Sequence, residues 1–389
     1  MVRVAHIADT HLGFRQYNLD EREHDLYEVM DEIADRVLEE RVDIIIHSGD
    51  LFDSPRPVAQ AYYAFKSFLN RLGDKVKFFS VLGDHDTPKR RGMPPQKIFE
   101  DKICVLGLTG GDHQTLRLNG KEVLIAGISH FGRRYRDTLI EELRKLDALA
   151  ASYPASIILL HQAIDKFLPF EEVFEIRLDD LPRNFRYYAM GHLHSRMRAS
   201  FGRGELAYPG STEIMRSDEI DDWGRRGKGF YIVDIDSDKL DVREINLESI
   251  RPQIEFKVRY DSFNIEVERL IEALKAYAGR KAPIAHIIVE GKEVDRQRVQ
   301  QVLNKVLLGR VLYFRCRVIE EAERRLAEFK PGDINVRMLL KEYLKDDVIA
   351  EFGYELFKVL KDKNVEEAKR IANDYFRRIM GDDSEKSVS

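Results

Sequence analysis

The chain has 389 residues, 43% of them hydrophobic and 34% charged, and a formal net charge of −5. This composition supports sizeable hydrophobic cores in two or three domains and excludes a disordered chain. With two distant cysteines, Cys104 and Cys316, no apolar run of about 18 residues and no signal peptide, we exclude a disulfide framework and a membrane helix and expect a reducing cytoplasm.

Up to about residue 236, short apolar runs alternate with amphipathic segments. The apolar runs predict strands at Val4–Ala8, Asp43–Ser48, Lys77–Leu82, Glu122–Ser129, Ser156–His161, Tyr187–Met190 and Gly229–Asp234. The amphipathic segments predict helices at Glu21–Glu40, Ala59–Leu72 and Tyr135–Ala150. Alternation of this kind predicts a layered α/β domain, which we assign to residues 1–240.

The pattern changes near residue 250, where strand, helix, strand, helix and strand follow in close succession. These elements are predicted at Ile254–Tyr260, Ile265–Tyr277, Ile284–Glu290, Asp295–Leu308 and Val311–Ile319. They predict a small α+β domain over residues 250–325. Pro331-Gly332 then interrupts the chain, and the periodicity beyond it predicts a helical tail over residues 333–380.

Five short polar motifs follow predicted strands of the first domain. They are Asp9-Thr10-His11, Gly49-Asp50-Leu51-Phe52-Asp53, Gly83-Asp84-His85-Asp86, Leu160-His161-Gln162 and Gly191-His192-Leu193-His194. Loops beyond the carboxyl ends of strands form the ligand crevice of an open α/β sheet, so we expect these side chains to converge. Carboxylates and imidazoles without thiolates suit Mn²⁺, Fe²⁺ or Zn²⁺. A single motif of this kind is weak, but five in one order predict a metal site.

This ordered set resembles the calcineurin-like metallophosphoesterase superfamily, whose signature runs Asp-x-His, Gly-Asp-x-x-Asp, Gly-Asn-His-Asp/Glu, a later His and Gly-His-x-His. Within it, the chain is similar to archaeal and bacterial DNA-repair nucleases of the meiotic-recombination-eleven or SbcD type. Ile7–Gly13, Ser48–Asp53 and Tyr208-Pro209-Gly210-Ser211 are typical of that branch. The resemblance covers nearly the whole chain, including the small domain, which that branch uses as a DNA-binding cap.

The resemblance implies two divalent cations per chain, most simply Mn²⁺. It assigns the first cation to Asp9, His11, Asp50 and His194, and the second to Asp50, Asp84, His161 and His192, so that Asp50 bridges them. Such a pair activates water and stabilises charge on a phosphodiester. His85 is implied to lie outside the coordination shell, where it stabilises charge or protonates the leaving group.

The chain departs from the pattern of the nuclease branch at two positions. Asp84 stands where the family usually has Asn, which adds negative charge to the second site. Asp53 matches the broader superfamily, although some nucleases carry His there, and we expect it to hydrogen-bond His85, fix its tautomer and raise its pKa. The alternative for Asp53 is a cap for the following turn.

Several features are candidates for contacts with DNA or with a second copy. Lys89, Arg90 and Arg91 follow the Gly83–Asp86 motif and could meet flanking phosphates, although a charge run can equally be a solvated loop. Two further clusters of basic residues are interpreted as solvent-exposed surface. The helix at Ala59–Leu72 has an apolar face that is either buried on the sheet or, as in the family, part of a homodimer interface. Five histidines outside these motifs, His24, His47, His113, His130 and His286, are interpreted as structural.

The favoured function is Mn²⁺-dependent exonuclease and endonuclease action on DNA ends, within a double-strand-break repair complex. The resemblance adds an SMC-like coiled-coil ATPase as partner, bound through the C-terminal helices. Those helices carry apolar faces that must be covered, either by one another or by the partner. Two alternatives stay open: a low-turnover scaffold that bridges DNA ends, which Asp84 favours, and a phosphatase or phosphodiesterase acting on a substrate other than DNA.

Overall fold

The computed structural model describes residues 1–89, 92–167, 174–320, 336–361 and 365–380. Its strands are β1 Val2–Ile7, β2 Ile44–Ser48, β3 Lys77–Val81, β4 Ile103–Val105, β5 Asp112–Leu118, β6 Lys121–Ile128, β7 Ser156–His161, β8 Tyr187–Gly191, β9 Met197–Phe201, β10 Gly204–Tyr208, β11 Gly229–Ile235, β12 Leu240–Asn246, β13 Gln253–Arg259, β14 Ile284–Gly291 and β15 Tyr313–Glu320. Its helices are α1 Asp20–Glu39, α2 Ala59–Leu72, α3 Arg136–Ala150, α4 Ile220–Arg226, α5 Phe263–Leu274, α6 Arg296–Leu307, α7 Val336–Leu344, α8 Asp347–Lys361 and α9 Val365–Met380.

Two six-stranded mixed sheets form the first part of the chain. The first has the order β12-β11-β1-β2-β3-β4, and the second has the order β5-β6-β7-β8-β10-β9. Strands β1 to β4 run parallel to one another in the first sheet, and so do β6, β7, β8 and β10 in the second, whereas strands β11, β5 and β9 pair antiparallel with them. Parallel neighbours bring their carboxyl ends to the same edge of each sheet, which is where the polar motifs lie.

The side chains of the strands sort into three cores. Residues such as Val4, Ile46 and Ile157 fill the space between the two sheets. The outer face of the first sheet packs against α1 and α2, and the outer face of the second packs against α3, with Leu143 buried there. The strands covered on both faces are therefore mostly apolar, with buried polar residues such as Ser48 and His161 at their carboxyl ends. The predicted layered α/β fold is confirmed.

The predicted elements agree with the observed ones within one or two residues, apart from Ile265–Tyr277, where α5 ends at Leu274 and a 3₁₀ turn continues to Tyr277. The prediction did not include β4, β5, β9, β10, β12 or α4. Strand β12 pairs with β11 and carries the first sheet to Asn246, past residue 240.

A three-stranded sheet with the order β13-β14-β15 follows, together with α5 and α6. In the tail, α8 contacts both α7 and α9, and Phe352 stacks on Tyr375 with 3.7 Å between ring centroids. By internal contacts the chain divides into two units. One comprises Met1–Lys257, Asn264–Ile288 and Gln300–Arg317, and the other comprises Val258–Phe263, Val289–Val299 and the chain from Val318. No helix in the described ranges is long and apolar enough to cross a bilayer.

Candidate metal centre

Seven carboxylates and imidazoles converge at the carboxyl ends of five strands. The loops after β1, β2 and β3 supply four of them from the first sheet, and β7 with the loop after β8 supplies three from the second. The seven are Asp9, His11, Asp50, Asp84, His161, His192 and His194. The structure thus brings together every residue that the sequence predicted as a metal ligand.

Asp9, His11 and His194 form a first group, in which one ligand atom from each residue lies within 4.8 Å of the others. The Nε2 atoms of His11 and His194 are 3.2 Å apart. Asp9 and His11 are buried, and both have a positive φ, 51° and 44°. Positive φ is uncommon outside glycine and costs free energy, which the surrounding contacts must offset. The backbone is therefore held in an unfavourable conformation that turns these two side chains into the centre.

Asp84, His161 and His192 form a second group. Asp84 Oδ1 lies 3.2 Å from His161 Nε2 and 3.2 Å from His192 Nδ1, and these two nitrogens are also 3.2 Å apart. His161 is buried, and its other nitrogen, Nδ1, lies 2.8 Å from the main-chain oxygen of Ser48. One oxygen and two nitrogens therefore face a common point.

Asp50 lies between the two groups. Its Oδ2 atom is 3.6 Å from His11 Nε2 and 3.4 Å from His161 Nε2. Its Oδ1 atom accepts a hydrogen bond from the backbone N–H of His85 at 2.9 Å. A Cβ atom on Gly83 would stand 2.0 Å from Asp50 Oδ1, so only glycine permits this approach. The geometry suits a bridging carboxylate.

The charges in the centre stabilise one another strongly. Burial acts to lower the pKa of His161, but Asp50 and Asp84 outweigh it and raise that pKa well above 6.5. Burial acts to raise the pKa of Asp50, but His161 and His11 outweigh it and lower that pKa. These carboxylates are therefore ionised and concentrated in a buried place. Carboxylate oxygens and imidazole nitrogens without sulfur fit a pair of divalent transition-metal cations.

His85 lies at the edge of the centre with a half-exposed side chain. Its Nδ1 atom is 2.9 Å from the main-chain oxygen of Asp53 and 3.5 Å from the Asp53 carboxylate, which raises the pKa of His85 to about 10. The hydrogen bond expected between His85 and Asp53 therefore involves mainly the main-chain oxygen of Asp53. The Asp53 carboxylate lies between two imidazoles, since the same oxygen is also 3.4 Å from His11 Nδ1. His85 also has a nitrogen within 4.8 Å of ligand atoms of Asp50 and Asp84, so its place outside the coordination shell remains a prediction.

Sequence reasoning missed the residues that surround the ligands. Glu219 Oε1 lies 2.8 Å from His194 Nδ1, and Glu175 Oε1 lies 3.7 Å from His192 Nε2. His130, interpreted as structural, has its ring 5.9 Å from those of His161 and His192. Glu219 and Glu175 belong to no strand-end motif, and His130 follows the predicted strand Glu122–Ser129 as an isolated histidine, so residue types alone did not indicate these three.

The predicted DNA-contact residues are described only in part. Lys89 is exposed, whereas Arg90 and Arg91 lie outside the described residues. In α2, the face formed by Phe65, Phe68 and Leu72 is buried on the first sheet, as one of the two interpretations predicted. Tyr63, on the opposite side of α2, is 75% exposed.

Comparison with known proteins places this centre in a family. The model of the calcineurin-like phosphoesterases matches residues 2–196, which include all seven converging side chains. The DNA double-strand break repair protein Mre11 of Thermoplasma acidophilum is 32% identical, covering 93% of this chain and 95% of the relative. Mre11 of Saccharolobus solfataricus is 34% identical, covering 98% and 99%. Mre11 of Methanocaldococcus jannaschii is 32% identical, covering 95% and 97%. The chain therefore belongs to the Mre11 family of DNA double-strand break repair proteins, within the calcineurin-like phosphoesterases, and is a two-metal phosphodiesterase.

Proposed function

We propose that the chain is a Mn²⁺-dependent exonuclease and endonuclease that hydrolyses phosphodiester bonds at broken DNA ends. The observation that carries the proposal is the convergence of seven carboxylate and imidazole donors beside His85, in a chain of the Mre11 family. A phosphodiester carries negative charge, and a centre that holds cations is suited to bind it.

The donors divide between two cations. Asp9, His11 and His194 would hold the first, Asp84, His161 and His192 would hold the second, and Asp50 would bridge them; the grouping of their ligand atoms supports this division. Two such cations supply a Lewis-acid clamp for the phosphodiester and an acidified water as nucleophile. Ligands that include nitrogen favour Mn²⁺ over Mg²⁺ or Ca²⁺, which prefer all-oxygen sites.

His85 is the residue proposed to donate a proton during the reaction. Its Nδ1 faces Asp53, whose carboxylate raises the pKa of His85 and favours the protonated imidazole. An imidazolium at the edge of the centre can donate to the leaving sugar oxygen or stabilise charge on the phosphoryl group. Asp53 would act as a positioning residue, because its carboxylate lies near both His85 and His11.

DNA would extend past the centre over basic side chains. Lys89 is exposed a few residues after His85, and we propose it with Arg90 and Arg91 as phosphate contacts. The small domain over residues 250–325 is proposed as a DNA-binding cap. Phosphate contacts of this kind position the strand without reading its sequence, and they weaken with salt.

Two protein partners complete the proposal. The tail over residues 333–380 is proposed to dock on an SMC-like coiled-coil ATPase, and the exposed apolar side chains Met338, Tyr343 and Val348 support it. A homodimer is proposed through the outer side of α2, where Val58 and Tyr63 are exposed.

A second candidate function is a DNA-end-bridging scaffold with low turnover. Asp84 favours it, because a third carboxylate beside Asp9 and Asp50 weakens the positive field that attracts phosphate. The two candidates share their metal and DNA contacts and differ in rate.

A nuclease assay with purified chain, Mn²⁺ and end-labelled single-stranded and duplex DNA tests the proposal, with a mononucleotide diester as competitor substrate. We expect cleavage of DNA with Mn²⁺ and none with chelator. Asp50→Ala should abolish cleavage and lose at least one of two bound ions, because the variant lacks the bridging carboxylate. DNA binding without cleavage would favour the scaffold, and preference for the diester would favour a phosphodiesterase. Two tightly bound ions in Asp50→Ala would contradict the ligand assignment.

A further inference from the structure

A carboxylate contacts the imidazole of His194 on the side that faces away from the centre. Glu219 Oε1 lies 2.8 Å from His194 Nδ1, while His194 Nε2 points towards His11 Nε2 at 3.2 Å. A histidine that binds metal through one nitrogen commonly donates the N–H of its other nitrogen to an oxygen, which fixes both tautomer and ring orientation. The contact with Glu219 leaves Nε2 as the nitrogen with a free lone pair facing the centre.

Glu219 is itself fixed in place by several donors. Its second oxygen, Oε2, is 2.5 Å from the ammonium of Lys228, 2.9 Å from Ser211 Oγ and 3.3 Å from the backbone N–H of Met215. These groups use Oε2 and direct Oε1 to His194. Glu219, Lys228 and Ser211 are all buried, so the arrangement has little rotational freedom.

Lys228 connects this carboxylate to the backbone of the ligand loop. Its ammonium also donates to the main-chain oxygen of His194 at 2.9 Å and to Ser211 Oγ at 2.6 Å. Gly210 permits the contact, because its φ is +78° and a Cβ there would stand 2.6 Å from the same His194 oxygen. His194 is therefore held at its ring and at its backbone by residues that follow β10 and α4. This accounts for the Tyr208–Ser211 motif, which the ligand set itself does not use.

The other candidate ligands are oriented differently. His161 uses a main-chain oxygen, that of Ser48, whereas the carboxylates beyond His192 and His11 lie at 3.7 Å and 3.4 Å. At 2.8 Å, Glu219 is closer to its imidazole than either of those carboxylates. His194 lies partly exposed at the rim of the centre, where packing restrains a ring less than it does at buried His161.

We propose that Glu219 is a positioning residue for metal binding, and that Lys228 holds the Glu219 carboxylate in place. The pair fixes the ring of His194 so that Nε2 completes the first cation site. This inference rests on the proposed assignment of His194 as a ligand. It assigns a role to two residues outside the strand-end motifs.

The test is a Mn²⁺ titration of the metal-free full-length chain, followed by calorimetry and by electron paramagnetic resonance of free Mn²⁺. We expect Glu219→Ala to raise the dissociation constant of one of the two Mn²⁺ ions by about 10–100-fold, the usual effect of losing a hydrogen-bond partner of a metal ligand. The other ion should keep its dissociation constant, because Asp84, His161 and His192 do not contact Glu219. Glu219→Gln keeps an oxygen that can accept from His194 and should lose less affinity than Glu219→Ala.

A matched control separates positioning from general destabilisation. Asp234 is also a buried carboxylate, paired with Arg3 at 2.8 Å, and it lies beside the amino end of β1, away from the ligands. Asp234→Asn should lower the melting temperature yet leave both Mn²⁺ dissociation constants unchanged. All titrations are made well below the lowest melting temperature of the set.

The outcomes are distinct. Two unchanged dissociation constants in Glu219→Ala would overturn the inference, and so would an equal loss of both ions in that variant while it remains folded. Should Glu219→Ala fail to fold, Glu219→Gln decides: wild-type affinities for both ions in that variant, with Lys228→Met unchanged as well, overturn the inference. If the wild-type chain binds fewer than two ions, the ligand assignment under the proposed function fails instead.

Discussion

Asp84 offers a single carboxylate oxygen to two imidazoles, at 3.2 Å from each. Asn would present its amide oxygen at the same place, with no net charge. We therefore predict that Asp84→Asn folds, keeps both ions at millimolar Mn²⁺ and cleaves DNA at a rate equal to or above the parent. Steady-state cleavage rates over a range of Mn²⁺ concentrations measure this. A complete loss of activity would reveal a role for the carboxylate beyond metal binding.

His85 tests the division between ligands and proton donors. Its Nδ1 faces Asp53, while its backbone N–H donates to the carboxylate of Asp50. We predict that His85→Ala lowers kcat by about 10²–10⁴, the usual contribution of a general acid, with two ions still bound. Parallel cleavage assays and elemental analysis check it. A fall in metal content alongside kcat would make His85 a ligand.

Among single residues, the sequence predicted those that belong to motifs at strand ends. Asp9, Asp50 and His161 each follow an apolar run, so their convergence followed from parallel strands ending at one edge. Glu219 was missed because it precedes a seven-residue helix that the sequence analysis did not predict. The hydrogen bond from His85 to the main-chain oxygen of Asp53 was missed because every residue type has a main-chain oxygen, so the sequence cannot indicate which one accepts.

At the scale of elements, α1 is tied to the chain that follows β12 by buried ion pairs. Asp25 on α1 accepts from Arg22 and Arg251, each at 2.6 Å, and from Lys281 at 2.9 Å. Glu213 adds a second carboxylate, 3.3 Å from Arg22. Asp25 and Glu213 are fully buried, so each needs its cations to offset the loss of solvation.

We predict that Asp25→Asn destabilises the protein by about 3–5 kcal/mol, because it leaves buried cations without their partner. Burial acts to raise the pKa of Asp25, but Arg251, Arg22 and Lys281 outweigh it and lower that pKa below 3.8. A lowered folded-state pKa gives stability that is fully present above about pH 4 and is lost as the pH falls through the folded value. The difference in unfolding free energy between wild type and variant should therefore be largest near neutral pH and shrink below pH 4.

Denaturant unfolding between pH 3 and pH 7 measures that difference. Asp31→Asn is the matched control, since Asp31 lies on the same helix with an exposed side chain, and we expect a change within about 0.5 kcal/mol there. A constant difference across the pH range would mean that the ionised carboxylate of Asp25 is not what stabilises the fold.

Elements were predictable where a core covers both faces. Strands β2 and β7 are buried at every residue, and each contains a continuous apolar run, Ile44–Ile46 in β2 and Ile157–Leu160 in β7. Strand β5 is exposed along most of its length at the edge of its sheet, and its sequence, DHQTLRL, carries no apolar run. The division of the strands between two sheets could not be read from the sequence either, because burial between sheets and burial under helices select the same residues.

At the scale of the whole molecule, the tail exposes several large apolar side chains. Helices α8 and α9 pair through Phe352 and Tyr375, yet Met338, Tyr343 and Val348 are more than 60% exposed. We predict that a chain ending at Pro331 keeps its fold, its metals and Mn²⁺-dependent cleavage of single-stranded DNA. It should lose stable association with the proposed ATPase partner and any ATP-dependent processing of duplex ends, because the proposed docking surface is removed.

Titration of the ATPase against full-length and shortened chains measures this. Tyr343→Ser in the full-length chain is a milder companion, since it removes one exposed apolar side chain without shortening the protein. Equal affinities for the full-length and shortened chains would leave the tail with a structural role only.

The ligands at the centre are contributed by both sheets, from Asp9 near the start of the chain to His194 near its middle. A growing polypeptide therefore has the carboxylates of β1 to β3 long before it has the imidazoles that follow β7 and β8. Under the proposed assignment, neither cation has its full set of ligands until the second sheet has formed against the first. Under the proposed function, a chain truncated before His194 should therefore bind neither cation fully and should not cleave DNA.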